Sequence, residues 1–227
     1  MADGKDDAGD SDESGLFPPV IETDRLRLER CCHETVDLQE YYRICSSDPG
    51  IEEVTRFVPW GSHEHPKETA EFLDRKERQW ENSEKAPYVI RPREGEQGAG
   101  EIAGQCGLRP NWGRRSATLN LWLRKRFWGR GYSGERAAAM LVLAFEWLDL
   151  DLVSVLHVAG NDNSRRAIES YVDRFGGRRD GLLRNAIVVD GEPRDQYRYS
   201  ISREEFEANR PGGLDVTLID NPPRPRP

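Results

Sequence analysis

The sequence has 227 residues, with 33 basic and 41 acidic side chains and a formal net charge of −8. That length suits one domain with tails, at ~100–200 residues per domain. Nowhere do ~18 apolar residues follow one another, which excludes a membrane-spanning helix, and the acidic first residues lack the apolar run of a secretory leader.

Cys31, Cys32, Cys45 and Cys106 show no metal or redox spacing, and the adjacent pair cannot easily bridge, so reduced thiols in an intracellular, cytoplasmic protein are expected. Only five basic residues are lysine against 28 arginines. Two causes fit this halophile-like composition. One is a high-salt cytoplasm whose ions screen like-charge repulsion; the other is GC-rich coding bias. An activity optimum at low salt argues against the first.

Residues 1–17 hold acidic side chains and glycine, too polar to bury a core, and read as a disordered tail. The core is expected over residues 18–207. Within it the alternation at 25–29 predicts a strand, and apolar spacing over 35–45 predicts a helix. An apolar loop at 57–61, with Pro59 and Trp60, is a candidate substrate loop, although packing alone would account for it equally. Pro66 then opens a second helix that turns Ala70, Phe72, Leu73 and Trp80 to one side.

Alternating stretches at 87–91, 101–108 and 117–123, with turns between them, predict an antiparallel meander. Residues 135–148 are apolar nearly all round, hence a buried helix, and 152–158 form a continuous apolar strand. Asn163 and Ser164 are expected to cap another helix that runs to about Arg174, and a hairpin turned at Asp190-Gly191 joins 183–189 to 196–201. The order is βααβββαβαββ, an α+β fold with a mixed, mostly antiparallel sheet of about six to seven strands and helices on both faces. Residues 208–227 are Pro-rich and read as a second tail, whose apolar piece at 214–219 is placed on the surface or on a second subunit.

The strongest local signal is Arg126-Phe127-Trp128-Gly129-Arg130-Gly131, between a strand and the buried helix. Glycines there let successive backbone N–H groups point into one cavity, and the helix N-terminus adds positive potential, a site for phosphate or pyrophosphate. Read from Gly129 to Gly134, the loop is a GxGxxG, the nicotinamide dinucleotide fingerprint of an oxidoreductase. Its context opposes this. Charged Arg124, Lys125 and Arg126 separate the strand from Gly129, and that strand follows an antiparallel meander.

Read as R-x-x-G-x-G, with Arg126, Gly129 and Gly131 in register, the loop resembles the acetyl-CoA pyrophosphate loop of the GNAT N-acetyltransferase superfamily. Trp122-Leu123, Trp128 to Tyr132, Glu135, the opening 22–28, Pro59-Trp60, the later 161–164 and the closing hairpin resemble its RimJ/RimL type, which acetylates N-terminal amines of ribosomal proteins. The resemblance spans about residues 23–205 and implies a single acetyltransferase domain.

It also implies direct transfer of an acetyl group from acetyl-CoA to a primary amine. Backbone N–H groups from Trp128 through Gly129, Arg130, Gly131 and Tyr132 to Ser133 would hold the phosphates, with charge from Arg126 and Arg130. The pantetheine arm would insert between splayed strands, with Leu121, Trp122 and Leu123 on one side and 158–161 on the other. An N–H of that first segment would receive the oxyanion. Asn161 and Ser164 would bond CoA or the strand end. Tyr171, one helix face along from Ser164, is the candidate acid for the sulfur.

Where relatives commonly place a strand glutamate, this sequence has Thr118, no base near neutrality. Asn120, on the same strand face, can orient a water, and Glu101 on the next strand is a substitute candidate. Without a base, an α-amine of pKa ~8 is an easier acceptor than lysine at ~10.4. A protein N-terminal α-amine is therefore favoured, a ribosomal protein's among the candidates. An amino acid, a polyamine or an antibiotic would also suit, and a non-catalytic acyl-CoA-binding module is the alternative from another class. His157 reads as a packed core residue, and His63 and His65 lack a third ligand for a metal. The arginine pairs do not make a nucleic-acid face on an acidic core without interleaved aromatics. A monomer or homodimer is expected.

Overall fold

The computed structural model describes residues 15–220. In chain order the elements are β1 (Val20–Glu22), β2 (Leu26–Arg30), α1 (Leu38–Ser47), α2 (Ile51–Thr55), α3 (Pro66–Glu81), β3 (Ala86–Pro92), β4 (Gly104–Asn111) and β5 (Ser116–Leu123). They continue with α4 (Tyr132–Val142), β6 (Leu152–Val158), α5 (Asp162–Arg174), β7 (Arg178–Val189), β8 (Glu192–Ser202), α6 (Arg203–Asn209) and β9 (Thr217–Ile219). The strands form one sheet in the order β7-β8-β6-β5-β4-β3-β2-β1-β9, antiparallel except where β5 meets β6. This is the α+β architecture expected from the sequence.

Strand alternation sorts the core onto the two faces of the sheet. Tyr88, Ile90, Leu119 and Leu123 join the cluster that includes α4, α5 and α6, whereas Val89 and Trp122 join the cluster built with α1, α2 and α3. Local signals set most ends. Asp37 caps α1 by accepting from the Glu40 N–H at 2.7 Å, Pro66 occupies the first turn of α3, and Ser202 with Glu205 forms a capping box on α6.

Four expectations shift. The sheet has nine strands among the described residues rather than six or seven, because β1 and β9, three residues each and adjacent at one end of the sheet, carry no readable period. One of them, β9, pairs antiparallel with β1 and draws on the stretch assigned to the C-terminal tail. Phe17, at the inner end of the stretch assigned to the acidic tail, is buried with its ring 5.3 Å from Trp80. Asn161, not Asn163 or Ser164, caps α5, its Oδ1 accepting from the Ser164 N–H at 3.1 Å. Residues 1–14 and 221–227 of the two expected tails lie outside the described residues.

All four cysteines are free and buried. Burial pushes the thiols of Cys31, Cys45 and Cys106 up to about 12, so their thiolates are scarce at neutral pH. Ellman's reagent at about pH 8 should therefore label none of the four within minutes and all four after denaturation. Rapid labelling of the native protein would contradict this packing.

Candidate active site

The site begins where a pairing stops. β5 and β6 run parallel from Ser116 opposite Leu152 to Leu119 opposite Val155, and no further. β5 nevertheless continues to Leu123, paired on its other side with β4, and β6 continues to Val158, paired with β8. The two strands splay, and their facing backbone groups are open to a ligand. The Arg124 N–H donates to the Ala103 carbonyl at 2.9 Å. Alternation then points the Trp122 N–H at β4 and the Leu121 and Leu123 N–H groups into the splay. The Leu123 carbonyl accepts from the Trp128 indole N–H at 2.8 Å.

The splay opens into a cleft of about 960 Å³. Of the residues singled out from sequence, Asn120 to Leu123, Trp128 to Ser133, Asn161, Ser164 and Tyr171 all line it. Gly129 and Gly131 have φ of +76° and +80°, values that L side chains rarely adopt. Gly131 is the N-cap of α4, with no side chain capping the first turn. An uncapped helix start behind a glycine turn is an anion cradle of the kind a pyrophosphate fills. The Trp128 N–H is already given to the Lys125 carbonyl at 3.1 Å, so the available run starts at Gly129.

Arg126 is not where the loop pattern placed it. Its guanidinium pairs with Glu101 and lies 4.6 Å over the Phe127 ring, outside the cleft lining. The same pair removes Glu101 as a substitute base, and Glu101 also sits 3.7 Å from Arg124. Arg130 lines the cleft but donates to the Gln97 and Arg126 carbonyls. The cleft's other cations are Arg25, Arg166 and Arg174 on its wall and Arg136 at its base. Arg25 is tied into the cradle through Glu135, whose carboxylate accepts from the Thr23 hydroxyl at 2.6 Å, the Arg25 N–H at 2.8 Å and the Arg25 Nε at 2.7 Å. Arg25 also donates to the Arg130 carbonyl at 3.0 Å. Nothing local marks Arg25 for this role, since Glu135 is 110 residues away.

On β5 itself, Thr118 shares a hydrogen bond of 3.2 Å with Ser154, a strand-to-strand link that leaves no base there. Asn120 is exposed at the cleft. Trp60 packs edge-on to Trp122 at 5.4 Å and lines an adjoining groove of about 320 Å³ with His63 and Arg75. Pro59 is exposed and lines neither, whereas its neighbours Phe57 and Val58 line the main cleft. His63 is bonded to Thr69 at 2.8 Å, and burial holds its pKa below the ordinary 6.5. His157 is a buried packing residue between Tyr197 and Tyr199, outside the cleft.

Tyr171 is 2% exposed and lines the cleft with Ser164, Ala167 and Ile168 from the same helix. Its hydroxyl has no hydrogen-bond partner among the described residues. Burial raises its pKa above the ordinary 10, opposed by the nearby Arg136 charge. The hydroxyl therefore keeps its proton through the neutral range. Residues 213–215 of the C-terminal segment also line the cleft, an approach that the sequence pattern did not reveal.

The GxGxxG reading is tested by the same geometry. β5, α4 and β6 do form a parallel crossover, but residues 124–128, partly a 3-10 turn, separate the strand from Gly129. A dinucleotide fingerprint needs the strand to run directly into the first glycine.

Comparison with known proteins identifies the family. The family described as the acetyltransferase (GNAT) domain matches residues 25–171. The chain is 30% identical over 96 residues to YdaF of Bacillus subtilis (strain 168), a protein named as a ribosomal N-acetyltransferase. That match covers 42% of this chain and 50% of YdaF, so the chain spans about half the length of that curated relative. An acetyltransferase of T. thermophilus superposes with a TM-score of 0.67 at 26% identity, over 86% of this chain and 94% of its own. Mycobacterium smegmatis RimJ, in complex with CoA-disulfide, superposes with a TM-score of 0.69 at 19% identity, over 84% and 90% of the two chains. The family match takes in β2, the glycine cradle, the splay and Tyr171, well over half of the sequence, and on that ground the chain belongs to the GNAT acetyltransferase family.

Proposed function

We propose that this protein is an acetyl-CoA-dependent N-acetyltransferase that acts on a primary amine, with a protein N-terminal α-amine favoured. The observation that carries this is the continuity of one cleft from the uncapped start of α4, through the β5/β6 splay, to Tyr171. CoA has the matching parts in the matching order: a pyrophosphate, an amide-bearing arm and a thioester. The arm would bond the free strand edges, and the Leu121 or Leu123 N–H would face the developing oxyanion. The amine attacks the thioester carbon directly, and Tyr171 gives its proton to the departing sulfur.

The acceptor follows from what the site lacks. Thr118 is engaged with Ser154, Glu101 with Arg126, Glu135 with Arg25 and Glu53 with Lys125, so proton removal falls to water, to the amine's own equilibrium or to the exposed Asp24 and Asp215 on the cleft lining, none of them a strong base. That favours amines already partly neutral at pH ~7–8. The naming of YdaF as a ribosomal N-acetyltransferase supports a ribosomal-protein N-terminus within this class.

The experiment is thiol release from acetyl-CoA against N-terminal peptides and small amines, in high and low KCl. Expected is release that depends on an α-amine, with a rate that climbs tenfold per pH unit and levels near pH ~8, and no falling limb from Tyr171 below 10. A rate still climbing at pH ~10 would mean a lysine acceptor. A second reading, an acyl-CoA-binding module, is favoured by the engaged Thr118 and predicts CoA binding with no thiol release on any amine.

A further inference from the structure

The apolar helix α4 carries one charge in its buried second turn. Arg136 is 1% exposed, forms part of the cleft lining, and has Nε and Nη1 shielded from water with no hydrogen-bond partner among the described residues. A guanidinium cannot shed its charge, and an unpaired cation in the interior is a costly arrangement. Its sequence neighbour Glu135 does not relieve it, because that carboxylate is held by Thr23 and Arg25. The Arg136 charge acts on the Tyr171 hydroxyl on α5 and on the Cys106 thiol on β4. Both are neutral at rest, and of the two only Tyr171 lines the cleft. Two buried polar groups without partners among the described residues thus line one ligand site, on helices that meet where a Cβ on Gly134 of α4 would stand 4.0 Å from the Tyr171 Cβ.

We propose that Arg136 is a positioning residue for Tyr171, placed to hold the phenolate that Tyr171 becomes when it protonates the departing sulfur. This rests on the acetyl-transfer reading above. The amine nitrogen bonds to the thioester carbon and the carbonyl π pair moves to oxygen. Collapse restores the carbonyl, the carbon–sulfur bond breaks, and its electron pair stays on sulfur. The Tyr171 proton moves to that sulfur to give the CoA thiol. The proton shed by the new amide nitrogen goes to water, and the phenolate recovers a proton from water. The phenolate lasts only for that interval, beside a fixed cation in a water-poor site where the attraction is strong and needs no reorganisation.

The test uses Arg136→Met, which keeps length and loses charge, and Arg136→Lys, which keeps the charge. Arg136→Met should lower kcat by about 10- to 100-fold and leave the KM for acetyl-CoA within about threefold. Its melting temperature should stay level or rise, since an unpaired buried charge has gone. Arg136→Lys should retain most of kcat. Arg136→Met combined with Tyr171→Phe should be no slower than Tyr171→Phe alone, because one residue acts through the other. Independently of turnover, 3,5-difluorotyrosine at position 171, followed by fluorine NMR, should become an acid at least ~10-fold weaker in Arg136→Met and stay near wild type in Arg136→Lys.

Losses that multiply in the double variant, or an unchanged fluorine titration, overturn the proposal. Should Arg136→Met fail to fold, a titration in Arg136→Lys that departs from wild type by the same amount overturns it too. If the wild-type protein acetylates no amine, the functional reading fails, while the fluorine titration still decides whether Arg136 governs Tyr171.

Discussion

Replacing Tyr171 with phenylalanine should lower kcat by about 100-fold or more while the KM for acetyl-CoA moves by a few fold at most. The argument starts from what the hydroxyl does not do. It is buried and has no hydrogen-bond partner among the described residues, so its removal orphans no neighbour and opens only an oxygen-sized gap. Stability should hold or improve, because burial of an unbonded hydroxyl costs about 1–3 kcal/mol in proteins. A fall in rate in a protein that melts no lower therefore reports chemistry rather than unfolding. The sign of the pH effect is also fixed. Burial raises the Tyr171 pKa above 10, so the acid form persists throughout the range in which an α-amine becomes neutral. The wild-type profile should then carry only the amine's limb, and the variant should keep the same limb at a lower height. Thiol release with a saturating peptide, read alongside the melting temperature, checks both. A kcat within twofold of wild type would mean that the thiolate leaves without an acid.

What the sequence makes legible here depends on how local the cause is. β6 is found at its observed ends, 152–158, because a run of apolar residues bounded by Asp151 and Gly160 is a signal contained in the run itself. The glycine cradle is legible for the same reason, since positive φ at Gly129 and Gly131 is a demand on two residues. The cap on α5 falls two residues early because Asn161, Asn163 and Ser164 are all chemically competent caps, and only the strand end decides among them. The loop arginine misleads because a consensus position fixes a residue type and not a direction. Arg126 turns to Glu101 on its own side of the loop, while Arg25, distant in sequence, reaches the cradle through Glu135. Arg136 is invisible within an apolar stretch until the fold shows that nothing neutralises it. The splay itself depends on where pairing stops, which neither strand encodes alone.

Replacing Gly131 with valine should weaken CoA binding by about 10- to 100-fold and leave kcat at saturating acetyl-CoA close to wild type. Two effects add at this position. A φ of +80° costs an L residue about 1–2 kcal/mol, and a β-branched one more, so the loop relaxes out of the cradle geometry. A Cβ there would already be in contact with Arg25 Nη2, at 3.4 Å, so the further methyls of valine crowd the cation tied to the loop through Glu135. One or two tenfold steps of affinity correspond to ~1.4–2.8 kcal/mol, within reach of strain and a displaced cation together. Gly129→Ala separates the two. Gly129 has a φ of +76° but no atom within 4 Å of an added Cβ, so it tests strain without collision and should lose less. Calorimetric titration with CoA and with dephosphorylated pantetheine distinguishes the outcomes. The loss in Gly131→Val should be large for CoA and small for pantetheine, which carries no pyrophosphate. Equal losses for both ligands would place the pyrophosphate elsewhere and leave the glycine turn a purely structural device.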